Sequence, residues 1–144
     1  ITEIGVGFGG HAVVLNKFFG TEHFEFYELP EVNQLAGKTL ERLTPAAQAL
    51  LKDGRRPGAS ESDLIVSNYA FSELNRGTQD AYLENVVLPT KRGFMVYNEL
   101  GQREMGGYSA YDIAGKLPGS VILPEDPATF PGNVTLVWGS EKFG

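Results

Sequence analysis

Residues 3–10 read EIGVGFGG, with Ile1-Thr2 in front and HAVVLNKFF behind. A β-branched, apolar start that runs into glycines reads as a strand ending in a tight turn. Behind the turn, Ala12, Val13, Leu15 and Phe19 fall on one helical face, and Gly20 stops that helix. In an open α/β sheet a ligand lies at the carboxyl end of such a first strand. Glycine lets the ligand reach the backbone, and the helix start offers free N–H groups and the positive end of a dipole. The bland alternative is a glycine-rich turn with no ligand. Gly5, Gly7, Gly9 and Gly10 carry a conformational cost that such a turn does not require.

Outward from this segment the pattern repeats. HFEFYEL (23–29) reads as a second strand, and Pro30 opens a helix over 30–43 with Val32, Leu35, Ala36, Leu40 and Leu43 at helical spacing. AAQALL (46–51) reads as a short helix, so a third strand is hard to see there. Residues 53–62 read as a polar, mobile loop. SDLIVSN (62–68) and GFMVYN (93–98) are short apolar runs of the kind buried in a parallel sheet. A helix over 78–88 separates them, GQREMGG (101–107) reads as a loop, and SAYDIAGKL (109–117) as a short helix. SVIL (120–123) and NVTLVWG (133–139) close the chain, joined only by a loop holding Pro124, Pro127 and Pro131. That loop has no room for a crossover helix, so the last strand is expected to run antiparallel. The fold expected is a Rossmann-like three-layer α/β sandwich, mostly parallel with an antiparallel last strand. Phe18, Phe19, Tyr82, Phe94 and Trp138 are the expected aromatic core.

The 144 residues are 42% hydrophobic and 21% charged, which suits one globular domain and excludes a disordered tail or a coiled coil. Twelve Lys and Arg against 18 Asp and Glu give a net charge of −6, a poor balance for gripping a nucleic acid. No apolar run approaches membrane-helix length. Cysteine is absent and only His11 and His23 could supply imidazole, so no metal site is expected; a cysteine-free chain suits the cytoplasm. The chain opens at Ile1 inside a strand, which reads as a domain, residues 1–144, whose natural N-terminal region lies upstream.

Two ligand patterns overlap in the opening segment. Gly5, Gly7 and Gly10 fit the dinucleotide fingerprint G-x-G-x-x-G, and Glu3, Gly5, Gly7 and Gly9 fit the E-x-G-x-G-x-G loop that carries S-adenosylmethionine (SAM). Glu28 ends the second strand beside the turn, where a carboxylate accepts hydrogen bonds from ribose hydroxyls; alone it would read as a solvated strand-end carboxylate. Taken together, ITEIGVGFGG, FYELPEV, DLIVSNYAFSEL, LPTKRGFMVYN and NVTLVWG, in this order, resemble the sugar O-methyltransferase family of class I SAM-dependent methyltransferases. SNYAFSEL is the most specific piece, and the resemblance spans nearly the whole chain. It implies a seven-strand sheet with an antiparallel last strand and an additional N-terminal region. It also implies that Gly5, Gly7 and Gly9 pass under the methionine part of SAM. Glu3 would hold the amino group through water, Glu28 the ribose and Leu29 the adenine, while Asn68 and Tyr69 would line the methyl-transfer site. Asp53, ten residues before Asp63, has a spacing that could suit an adenine contact but reads better as a solvated loop residue.

The chemistry expected is in-line methyl transfer to a sugar hydroxyl, so the residues must align the reacting atoms, exclude water and remove a proton. Glu73 and His11 are the candidate bases. Each has a structural alternative: Glu73 as a helix-start carboxylate, His11 as a residue packed beside the glycine loop. His23 is expected on the opposite edge. Tyr97, Asn98 and Glu99 lie at a strand's carboxyl end and could touch donor or acceptor; Arg55 and Arg56 could meet a nucleotide-sugar phosphate but read as a solvated loop. The partner expected is a small sugar or glycoside, with no nucleic acid and no membrane; a homo-oligomer stays open. Two other readings stand beside this one: an NAD(P)-dependent oxidoreductase and a non-catalytic SAM-binding module.

Overall fold

The structure, a computed structural model, describes residues 1–139. Seven strands form one sheet: β1 (Thr2–Ile4), β2 (His23–Glu28), β3 (Gln48–Asp53), β4 (Ile65–Asn68), β5 (Gly93–Tyr97), β6 (Val121–Pro124) and β7 (Val134–Trp138). Their order is β3-β2-β1-β4-β5-β7-β6. β1 to β5 pair in parallel, and β7 runs antiparallel to both β5 and β6. The helices are α1 (Gly10–Phe19), α2 (Pro30–Leu43), α3 (Arg76–Tyr82), α4 (Leu100–Met105) and α5 (Ala110–Ala114). A 3₁₀ turn at Ala70–Glu73 follows β4, and α3 runs on through a π-helical stretch, Leu83–Val87.

Alternation along the strands divides the core. Phe24 and Phe26 pack with Val6, Ala12, Val13, Ala36 and Leu40 on the face covered by α1 and α2. Ile4, Tyr27, Ile65, Met95 and Leu136 pack with Phe71, Tyr82, Val86 and Ile113 on the other face. A period of two sends successive side chains to opposite faces, so both faces of this sheet must be apolar and covered.

Several expectations need correction. Gln48–Asp53 is a strand, not a helix: the chain turns at Thr44, whose N–H and hydroxyl both bond Leu40 O, and then pairs in parallel along the whole of β2. Pairing outweighs the helix propensity of Ala49, Leu50, Leu51 and Lys52. The following loop is tacked down rather than free: Lys52 Nζ donates to Ala59 O at 2.8 Å and Tyr27 Oη to Gly58 O at 2.7 Å. Residues 100–105 form α4 where a loop was expected. Tyr82 and Trp138 are buried as expected, but Phe18 and Phe19 are 78% and 77% exposed, and Phe94 lies on the surface. α1 buries Ala12 and Val13 instead, so the phenylalanines at its end face outward.

Candidate functional site

The glycines of the first turn have different reasons to be there. Gly5 has φ 79° and donates its N–H to Tyr27 O at 2.9 Å; a Cβ on it would sit 2.0 Å from Ala70 Cβ. Gly9, at φ 85°, caps α1 and lies against Ala36 of α2, where a Cβ would come within 3.1 Å of the backbone oxygen. Only at Gly7 would a side chain enter open space, with nothing within 4 Å. Gly5 and Gly9 thus hold elements together, and Gly7 leaves the floor of the crevice bare.

Glu28 and the glycine loop meet. Gly7 N donates to Glu28 Oε2 at 3.3 Å, and Leu29 N to Glu28 Oε1 at 2.8 Å. Leu29 beside it is 47% exposed, an apolar surface next to the carboxylate. Asn33 of α2 fixes this corner by donating from Nδ2 to Lys52 O at 2.7 Å, Glu28 O at 3.3 Å and Phe26 O at 3.4 Å. Asp53 pairs in register with Glu28 and ends β3, so it is a strand-end residue rather than a loop residue. Arg55 grips it through two side-chain bonds of 2.9 and 2.8 Å, and that contact pulls its carboxyl down to about 2. Arg55 is therefore committed to Asp53.

Glu3 lies under the loop and is 2% exposed. Its Oε1 is 3.1 Å from His11 Nδ1, and its Oε2, buried, has no partner among the described residues. A buried carboxylate oxygen left unpaired is costly, so this oxygen is a ready acceptor for a cationic N–H donor. The hydrogen bond to Glu3 raises the His11 pKa, with burial opposing it. His11 is thus placed beside the glycine loop, bound to Glu3.

A second group of side chains stands at the carboxyl ends of β4 and β5. Asn68 is exposed. Tyr69 is the one non-glycine with positive φ, 65°, among the described residues. Its N–H bonds Val96 O at 2.8 Å. Its hydroxyl donates to the Glu125 carboxylate and lies 2.8 Å from Thr129 Oγ1. Glu125, held down to about 2 chiefly by Tyr69, also accepts from Thr129 N, Thr129 Oγ1 and Asn133 Nδ2. Sequence reasoning missed Glu125, whose partner is far away in the chain and which sits in a loop with no local pattern. Glu73 is exposed and accepts from Asn98 Nδ2 at 2.9 Å. Asn98 Oδ1 in turn accepts from Leu100 N at 3.0 Å. Tyr97 is buried and donates to Tyr108 O at 2.6 Å, with its pKa raised by burial, so its hydroxyl is committed within the core. His23 begins β2 at the far, amino end of the sheet, against a cavity that also touches Ile1 and Glu61.

Among the described residues no group of three or more His, Asp or Glu could hold a metal ion, and no helix is long and apolar enough to cross a membrane.

This strand order, with β7 inserted antiparallel between β5 and β6, is the fold of Rossmann-like class I methyltransferases. Solved structures carry the comparison. The mitomycin 7-O-methyltransferase MmcR has a TM-score of 0.68 at 20% identity, over 95% of this chain and 48% of its own. An O-methyltransferase family 2 protein from Planctomyces limnophilus, in complex with apigenin, has a TM-score of 0.65 at 13% identity, over 95% of this chain and 49% of its own. The O-methyltransferase NcsB1 from neocarzinostatin biosynthesis, in complex with S-adenosyl-L-homocysteine (SAH), has a TM-score of 0.64 at 14% identity, over 95% and 48%. At these identities the likeness is one of fold, and this chain spans about half the length of these proteins. No family model and no curated protein matches the sequence.

Proposed function

We propose that residues 1–144 form the donor-binding domain of a SAM-dependent O-methyltransferase. One observation carries this reading: the buried Glu3 oxygen without a partner, set under a loop that is open at Gly7 and faced by Glu28. Glu3 takes the amino group of the amino-acid end, Glu28 the ribose hydroxyls, and exposed Leu29 one face of the adenine. Bound SAM supplies a methyl group on a positive sulfonium, which needs no further activation. The chain's own work is to orient the acceptor hydroxyl, keep water away and take one proton. Asn68 and Tyr69 line that place, and Glu73 is the base, with Asn98 holding one of its oxygens.

The acceptor in this reading is a sugar hydroxyl, supported by the motif resemblance of SNYAFSEL and its neighbours in the chain. A phenolic acceptor is the second reading, favoured by the apigenin complex of the Planctomyces limnophilus protein and by a naphthoic acid complex of NcsB1. A nicotinamide oxidoreductase fits less well, because the antiparallel β7 departs from that fold, and a non-catalytic SAM module would keep the donor site without turnover. Calorimetric titration with SAH and with NAD tests the donor: SAH should bind and NAD should not. NAD binding without SAH binding would overturn the proposal.

A further inference from the structure

A cavity of about 320 Å³ opens between α4 and the chain leading into β7, with Asn98, Glu99, Leu100, Arg103, Phe130 and Asn133 among its lining. It lies at the ligand end of the sheet, on the β5–β7 side, away from Glu3, Gly7 and Glu28. Its volume falls at the small end of ligand sites and admits about one ring. Phe130 is 65% exposed and, with Leu100 and Pro131, gives the cavity an apolar surface on which a ring can lie.

The wall is prearranged. Tyr69 reaches from the end of β4 to Glu125 and Thr129, tying the loop before β7 to the sheet. Each lining amide is oriented by a carboxylate behind it, Asn98 by Glu73 at 2.9 Å and Asn133 by Glu125 at 3.3 Å. Tyr69 holds a positive φ of 65° with ψ −33°, and such strain persists where surrounding structure over-determines it. Among the described residues the charge balance is acidic: Glu99 and Arg103 of the lining pair with each other at 3.4 Å, and Glu73 and Glu125 stand behind the lining amides with no cation on them.

We propose that this cavity is the acceptor subsite and that it takes an uncharged or amino-bearing sugar ring, whose C–H face lies on Phe130, and not a phosphate- or nucleotide-linked sugar. Carboxylates accept hydrogen bonds from ring hydroxyls and attract an ammonium, and they repel a phosphate. The site deepens the methyltransferase reading and rests on it for its identity as the acceptor side; Glu73, the base of that reading, is bonded to Asn98 of the cavity wall.

Saturation-transfer NMR on the whole chain, with and without SAH, tests it with four probes: methyl α-glucoside, methyl glucosaminide, glucose 1-phosphate and phenol. The two glycosides should bind, the amino sugar more tightly, and glucose 1-phosphate should not. Phe130→Ala, at an exposed position that leaves the fold intact, should weaken the glycosides roughly three- to tenfold, the scale of one ring contact. Glu99→Gln should weaken the amino sugar more than the neutral one. The proposal is overturned if neither glycoside binds, if phosphate binds as well as they do, if phenol alone responds to Phe130→Ala, or if the variants change nothing. Failure of SAH to bind in the same tube would count against the donor reading, and the probes would still judge the cavity.

Discussion

Glu28 and Glu3 do different work although both are carboxylates beside one loop. Glu28 is half-buried and bonded by two backbone N–H groups, so it is aimed. Removing a carboxylate that accepts ribose hydrogen bonds costs about 1.5–3 kcal/mol in all, the scale of a hydrogen bond to a charged group. Glu28→Ala should therefore weaken SAH binding roughly 10- to 150-fold by titration, and unchanged affinity would remove Glu28 from the site. Glu3 is paired with His11, and that pair sets a pH dependence. The His11 pKa is raised in the folded chain, so its stabilisation is complete below the ordinary histidine value and fades as pH rises through the raised one. The melting temperature of the native chain should exceed that of His11→Gln at pH 5.5, and the gap should narrow by pH 9. A constant gap would mean that His11 only packs. That Glu28 meets the glycine turn was legible from the strand–turn spacing. That His11 binds Glu3 was not, because the contact depends on how α1 leaves the turn.

Elements that bury one clear face announced themselves, and those held by remote partners did not. α2 was legible to its ends, because Pro30 fits its first turn and apolar residues keep helical spacing to Leu43. β7 was legible in direction, because a short proline-bearing connection cannot return it in parallel. β3 was hidden: it is an edge strand whose Leu50 and Leu51 are both exposed, so no alternation marks it, and its pairing with β2 is non-local. The glycine turn is where element packing and ligand access separate. Gly5→Ala forces a Cβ into Ala70 of the 3₁₀ turn at an unfavourable φ, whereas Gly7→Ala meets open space at φ 54°. Overpacking costs typically 1–3 kcal/mol and the left-handed backbone roughly 1–2 more, so Gly5→Ala should lower the unfolding free energy by about 2–5 kcal/mol. Gly7→Ala should lose only about 1–2 kcal/mol yet lose most of its SAH affinity, since its methyl fills the bare floor. Urea unfolding and SAH titration on both variants check the contrast. Equal losses of stability would show that Gly7 is structural too.

At the scale of the molecule the sheet divides the labour. The strand order turns at the β1/β4 junction, and the crevice there has β1 and β2 with Glu3, Gly7 and Glu28 on one side, β4 and β5 with Tyr69, Glu73 and Asn98 on the other. The proposed function places donor binding in one half and proton removal in the other. Groups without shared partners behave additively, so a change in the second half should leave the first nearly untouched. Glu73→Gln is the sharpest probe, because the amide keeps an oxygen for Asn98 Nδ2 and so preserves the bond that Glu73 makes, while it cannot take a proton. General-base assistance is worth about 10²–10⁴-fold, and water can replace part of it, so turnover should fall at least about tenfold. SAH affinity should stay within about twofold of the native value, as expected for well-separated sites. The paired readout decides between roles. Reduced turnover with intact SAH affinity makes Glu73 the base. Normal turnover leaves it as the residue that orients Asn98 at the cavity wall, with proton removal falling to another group.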